Sequence, residues 1–301
     1  MPRLPPVLAV VGPTAAGKSD LAVRLARRLG GEVVNADAMQ LYRGMDIGTA
    51  KLTKSQRRGV PHRLLDVLDV TQPATVAEFQ QRARAAVESC RARAVVPVLV
   101  GGSALYVRAV LDRFEFPGTD PAVRGRLEDE LAVVGAPALH ARLSTVDPAA
   151  AAAILPTNGR RVVRALEVVE LTGRPFSATL PTREYAYDAV VQIGLDVPRD
   201  LLDQRIEARV GRMWDAGFVD EVRRLEPGLR QGRTAAQALG YAQVLAFLAG
   251  EYSEQEARER TIRATRRFAR RQYSWFRKDP RIGWLPFDAP DLVELALARN
   301  R

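Results

Sequence analysis

The chain has 301 residues, 47% of them hydrophobic, which is enough for one large domain or for a core carrying an insertion. A single cysteine, Cys90, excludes an intramolecular disulfide framework; with no secretory signal and no apolar run of about 18 residues, a cytoplasmic protein is expected. Lys and Arg number 45 against 35 Asp and Glu, a net charge of +10, which points to a polyanionic partner, nucleic acid first.

In chain order, Val7–Val11 is an apolar, largely β-branched run that predicts a strand. It leads into Gly12-Pro13-Thr14-Ala15-Ala16-Gly17-Lys18-Ser19, which fits the phosphate-binding pattern G-x-x-x-x-G-K-[ST]. Helical periodicity follows over 18–29. The glycines let backbone N–H groups turn inward around a polyphosphate, and the helix N-terminus adds free donors and a favourable dipole. Lys18 brings a charge to the phosphates, and the Ser19 hydroxyl can ligate Mg²⁺.

A second strand is predicted over 32–35, a helix over 76–93 and a third strand over 95–100 that ends in Gly101-Gly102-Ser103. Alternating strands and helices of this kind make a parallel α/β sheet, whose ligands sit at the carboxyl ends of the strands. Asp37 closes the second strand and is a candidate metal ligand or general base; an ordinary turn aspartate is the plainer reading. The segment 38–51 is long and chemically mixed, with Met39, Gln40, Tyr42 and two glycines, and reads as a binding loop. The third strand lacks the terminal carboxylate of an ordinary ATPase, Asp196 being a weaker substitute, and no N-K-x-D guanine motif is present.

Three parts follow from the composition: a first part of a P-loop core over 1–115, an inserted helical subdomain over 116–187 with breaks at Pro137, Pro148, Pro156 and Pro175, and a second part of the core over 188–301. In the last part a strand over 189–196 precedes helices to about Phe276 and a short irregular tail. Basic residues cluster at Arg160, Arg161 and Arg164, at Arg205, Arg209, Arg212, Arg223 and Arg224, and along 254–276, where Arg263, Arg266, Arg267 and Arg270 oppose Ala257, Ala264, Phe268 and Trp275. One such helix is a solvated face; three beside a polyphosphate site favour RNA. His62 suits a loop-orienting or core role, His140 none, and two histidines with one cysteine do not suggest zinc.

Taken together, these residues resemble the tRNA dimethylallyltransferases, a P-loop family that prenylates an adenosine beside the anticodon. The resemblance spans nearly the whole chain: G-P-T-A-A-G-K-S, the run from Asn35 to Lys51, P-H-R-L-L-D from Pro61, G-G-S-A-L-Y from Gly101, R-R-V-V-R-A-L-E from Arg160, Gly240-Tyr241, and R-Q-Y-S-W-F-R from Arg271. The family usually has Ser where Ala38 stands, His where Arg63 stands and Thr where Ser103 stands. It implies dimethylallyl diphosphate and a tRNA as substrates, a flipped-out adenine, and a diphosphate held by residues 12–19 with Mg²⁺ at Ser19. It further implies Asp37 as base, and Thr14 and Arg209 as stabilisers of the leaving group. By the same resemblance tRNA contacts fall at Asp37, Ala38, Met39, Gln40, Ser103, Arg124, Arg160, Arg161 and Arg164. Tyr241 and Trp275 are open between prenyl pocket and core, core being favoured for Trp275. A monomer is expected. A small-molecule kinase would explain the loop and Asp37 but not the basic clusters; a non-enzymatic RNA-binding P-loop protein would leave Asp37 without a purpose.

Overall fold

The computed structural model describes residues 4–299 apart from 115 and 180–182. The apolar runs become a sheet of six parallel strands in the order β3-β2-β4-β1-β5-β6. Strand β1 (Val7–Val11) is buried along its whole length, because a parallel strand covered by helices on both faces needs apolar residues at every position. It lies between β4 (Pro97–Gly101) and β5 (Val190–Asp196); β2 (Glu32–Asn35) and the short β3 (His62–Arg63) continue on one side. Strand β6 (Ile282–Pro286) pairs with β5 on the other. The tail expected to be irregular therefore completes the sheet. The run Ile282–Pro286 is short, contains a glycine, ends on a proline and buries positions three apart rather than alternate ones, so it does not announce a strand by itself.

Eleven helices follow the strands: α1 (Lys18–Leu29), α2 (Val76–Ala92), α3 (Ala104–Leu111), α4 (Pro121–Val146), α5 (Pro148–Ala153), α6 (Gly159–Thr172), α7 (Arg199–Asp215), α8 (Phe218–Leu229), α9 (Tyr241–Leu248), α10 (Glu254–Arg277) and α11 (Leu292–Ala298) among the described residues. Alternate β1 side chains feed two cores. Val7, Ala9 and Val11 join Phe79, Phe218 and Tyr241, while Leu8 and Val10 join Leu21, Leu25, Ile206 and Leu292. No described helix is long and apolar enough to cross a membrane.

The chain divides into two compact units, Met1–Leu111 with Tyr185–Arg301, and Asp112–Glu184. The second is helical, with its own core of Leu127, Leu139, Leu143, Ile154, Val162 and Leu166. Its long helix breaks at Gly135, at φ 80°, two residues before Pro137. His140 Nε2 lies 3.0 and 2.9 Å from the carbonyls of Ala151 and Ile154, a tie between α4 and the end of α5.

The buried arc of α10 is Ala257, Thr261, Ala269, Gln272 and Phe276. Trp275, favoured for the core, is 56% exposed, with the Lys278 ammonium 5.5 Å from its ring. It sits at the edge of that arc, where the helix turns toward solvent.

Arg63 finds a use in the fold. Its Nε donates to Glu32 Oε2 at 2.8 Å, and Arg93 Nη1 donates to Oε1 at 2.9 Å, so Glu32 ties β2 to β3 and to the end of α2. The two guanidinium hydrogen bonds hold the Glu32 carboxyl at about 2, against an ordinary 4.5. A depressed carboxyl pKa stabilises the fold above the unfolded value, and that stabilisation is lost as pH falls through the folded value. Glu32→Gln is therefore expected to cost about 2 kcal/mol at neutral pH. Chemical denaturation should show wild type and variant converging in stability between pH 4.5 and 2.

Candidate active site

The sharp turn after β1 is made by the loop 12–17, which closes with Gly17 in the left-handed conformation at φ 102° as the N-cap of α1. Ala15 also takes a left-handed φ, 63°, and its carbonyl accepts from Arg205 Nε at 2.9 Å. The Lys18 ammonium donates to the Pro13 carbonyl at 2.7 Å. Burial, reinforced by the neighbouring Arg209 guanidinium and opposed by Asp37, pulls the Lys18 pKa down to about 7. Burial, then Arg212, also lowers that of Arg209, again against Asp37. Arg209 Nη1 reaches Thr14 Oγ1 at 3.3 Å, and Nη2 lies 3.5 Å from the Thr49 carbonyl.

These cations border a cavity of about 720 Å³. Lys18, Ser19, Arg205, Arg209 and Arg212 face it from α1 and α7; Ile47, Ala50, Leu52, Met213 and Ala216 give it an apolar wall. Concentrated positive charge beside apolar surface suits a ligand with an anionic head and a hydrocarbon tail. Of the second basic cluster, Arg223 is turned to Asp220 at 2.5 Å instead.

Three strand ends meet here. The Ala36 N–H donates to the Val100 carbonyl at 2.7 Å, which holds the end of β2 against that of β4. Buried Asn35 braces Asp37 from both sides: Oδ1 accepts the Asp37 N–H at 3.0 Å, and Nδ2 donates to the Asp37 carbonyl at 3.0 Å and to that of Leu64 at 3.1 Å. Asp37 Oδ1 accepts the Met39 N–H at 2.9 Å, which leaves Ala38 no need to cap the turn that follows. Gln40 Nε2 donates to the Thr49 carbonyl at 3.1 Å, so this side chain is engaged within the loop. Ser103 lies where α3 begins, and its carbonyl accepts the Val107 N–H at 3.0 Å.

Buried side chains fix the loop 38–51, and one of them, Glu221, has no obvious mark in the sequence. Glu221, 1% exposed, accepts three consecutive backbone N–H groups: Asp46 at 3.0 Å, Ile47 at 2.7 Å and Gly48 at 3.1 Å. The Tyr241 hydroxyl donates to it at 2.5 Å, which makes Tyr241 a core residue. Gly48 must be glycine, since a Cβ there would lie 2.2 Å from Phe218 and 2.5 Å from Tyr241. Lys51 binds Asp46 at 2.7 Å, Asp66 at 2.6 Å and the Tyr42 carbonyl at 2.9 Å.

In the helical unit, Arg124 and Arg164 are bound to the fully buried Glu167, at 2.5 and 2.8 Å. Arg164 also donates to the carbonyls of Pro117 and Gly118. Arg160 and Arg161 are exposed, and with Arg124 and Arg164 they line a cavity of about 610 Å³. Along α10, Arg263 and Arg266 pair with Glu256, Glu259 and Glu207, as expected of a solvated face. Asp196 is held by Tyr273 and Arg277 at 2.9 and 2.7 Å.

A parallel sheet with this loop at the end of its middle strand defines a P-loop fold, and the lined cavity makes it one that handles a phosphorylated ligand. The chain belongs to the IPP transferase family, whose model matches residues 40–279. It is 66% identical over 298 residues to the tRNA dimethylallyltransferase of Thermobifida fusca, covering 97% of this chain and 93% of that one. It is 66% identical over 295 residues to that of Streptomyces avermitilis, covering 98% and 94%. Among solved structures it resembles the tRNA isopentenylpyrophosphate transferase of Bacillus halodurans, with TM-score 0.71, 40% identity, and 97% and 93% of the two chains covered. It also resembles a eukaryotic dimethylallyltransferase acting on tRNA, with TM-score 0.84, 25% identity, and 97% and 76% covered.

Glu221 supports three consecutive N–H groups of the loop at once. Glu221→Gln turns an acceptor into a donor facing N–H groups and is expected to cost about 2 kcal/mol, whereas Tyr241→Phe, which removes one donor, costs about 1 kcal/mol. Thermal unfolding of the two variants checks that order.

Proposed function

We propose that this protein transfers a dimethylallyl group from dimethylallyl diphosphate to N6 of the adenosine 3′-adjacent to the anticodon of tRNAs, releasing pyrophosphate. The observation that carries this reading is the cavity at the phosphate loop, lined by the Lys18 and Arg209 cations and by the apolar Ile47, Leu52 and Met213, with Asp37 bearing electrostatically on both cations. The family relationship supplies the substrate classes.

The chemistry follows from that arrangement. The N6–C1 bond forms as the allylic C1–O bond breaks, and the electron pair leaves on pyrophosphate. N6 gives up a proton, and Asp37, braced by Asn35, is its acceptor. Lys18, the N–H groups of residues 15–19, Thr14 and Arg209 hold the charge that gathers on the leaving group; one such donor in a dry site is worth about 3–4 kcal/mol of barrier. Ser19 lines the cavity, and no cluster of three His, Cys, Asp or Glu suited to a metal occurs among the described residues. The Ser19 hydroxyl is a donor of the kind Mg²⁺ takes, and it would hold the ion together with substrate phosphate oxygens and water. When bound it neutralises charge on the diphosphate. Exposed Arg160 and Arg161 suit tRNA phosphates; Arg124 and Arg164 can share that task only while serving Glu167.

Incubation with dimethylallyl diphosphate, Mg²⁺ and unmodified tRNA, without ATP, should add one prenyl group to adenosine, read by mass spectrometry of the digested nucleosides. ATP consumption on small acceptors with no prenyl gain would instead support the kinase reading. Asp37→Asn is expected to retain tRNA binding and to lower turnover by about 10²–10⁴-fold; unchanged turnover would remove Asp37 as base.

Lys18 gives a pH signature. Its ammonium loses its proton as pH rises through about 7 in the free enzyme, and the anion binds the protonated form. kcat/KM for the diphosphate should fall about tenfold per pH unit above that value, while kcat changes less, because the bound anion retains the proton. Lys18→Ala should abolish this limb of the profile.

A further inference from the structure

The side chain of Gln272 links two of the three strand ends at the site. It lies on the buried arc of α10 and is 7% exposed. Its Oε1 accepts the Thr14 N–H at 2.8 Å, and its Nε2 donates to the Gly102 carbonyl at 2.8 Å. A primary amide does both at once, since it carries an acceptor and a donor side by side on one planar group. The approach to Gly102 is close enough to exclude any side chain there: a Cβ would lie 2.3 Å from Gln272 Nε2.

Taking the Thr14 N–H removes it from the set that can point at a diphosphate and fixes the plane of the peptide from which the Thr14 side chain departs. The Thr14 hydroxyl is the atom that Arg209 reaches at 3.3 Å. At its other end the amide holds Gly102, one residue before Ser103 and the start of α3. Phosphate loop and β4 loop are thus pinned to one point on a 24-residue helix.

We propose that Gln272 is a positioning residue for the transfer step, whose amide sets the Thr14 hydroxyl for the leaving diphosphate and keeps the phosphate loop in register with the Gly101–Ser103 loop. This deepens the reading under Proposed function and rests on it. Two variants separate the ends of the clamp. Gln272→Met keeps the length and loses both hydrogen bonds; Gln272→Glu keeps the acceptor for Thr14 and loses the donor to Gly102. Both are to be assayed for kcat, KM of each substrate and melting temperature, alone and combined with Thr14→Ala.

The expected result is a fall in kcat of about 10–100-fold in Gln272→Met, a smaller fall in Gln272→Glu, and little change in the KM for tRNA. In the Thr14→Ala background Gln272→Met should then cost no more than about threefold, because the atom it positions is gone. A purely structural glutamine would lower the melting temperature and multiply with Thr14→Ala, and that result would overturn the proposal. So would wild-type kcat in Gln272→Met, or in Gln272→Glu, which would make the Gly102 end idle. Binding of inorganic pyrophosphate by calorimetry stands apart from the assigned reaction: a weaker affinity in Gln272→Met supports the clamp even if no prenyl transfer occurs, and an unchanged affinity with unchanged kcat rejects it.

Discussion

The site is organised around positive charge that the fold concentrates at the wall of one cavity. Lys18 is partly buried with a neutral carbonyl as its hydrogen-bond partner, and Arg209, also partly buried, has a hydroxyl and a carbonyl. Both lose hydration, and each has a cationic neighbour, Arg209 beside Lys18 and Arg212 beside Arg209, which is why both hold their protons less firmly than in water. A diphosphate removes both penalties at once. The arrangement therefore favours an anion, and the rest of the structure fixes the loops that carry it.

That holding is done by buried polar groups that act on backbone. Glu221 gathers three N–H groups of the loop 46–48, Gln272 joins Thr14 to Gly102, and Asn35 braces residue 37. Each is satisfied, as burial requires, and each contacts a loop whose residues face the cavity or a strand end. The loops at the strand ends are thereby tied to the elements behind them, as a reaction that depends on aligning an amine, an allylic carbon and a leaving oxygen requires.

The helical unit uses the same economy with charge. Glu167 is fully buried, and Arg124 and Arg164 neutralise it from two helices. Removing either arginine would leave a carboxylate under-compensated in the unit's interior, so loss of RNA binding in such a variant would mix two effects. Arg160 and Arg161 carry no such burden. Spacing along a helix shows which arginines share a face; it does not show which of them face an acid.

The local motifs were legible because they are short-range. A glycine turn between a strand and a helix, the alternation of strands and helices, and the strand-end positions of Asp37 and Gly101 follow from backbone geometry over a few residues, and the sequence alone determined them. Glu221 carried no such signal, being one more acid in the first turn of a helix. Gln272 stood inside a recognisable motif without a role, and Trp275 beside it was misjudged because a hydrophobic residue at helical spacing does not say where the buried arc ends. The strand 282–286 escaped for want of length. The phosphate loop, the parallel α/β class and the family to which the chain belongs can be read along the chain. Which polar side chain meets which distant backbone group cannot, as with Gln272 and the Gly102 carbonyl and Thr14 N–H, 170 or more residues away. Such contacts depend on chain segments folding back through space, and no periodicity along the chain records them.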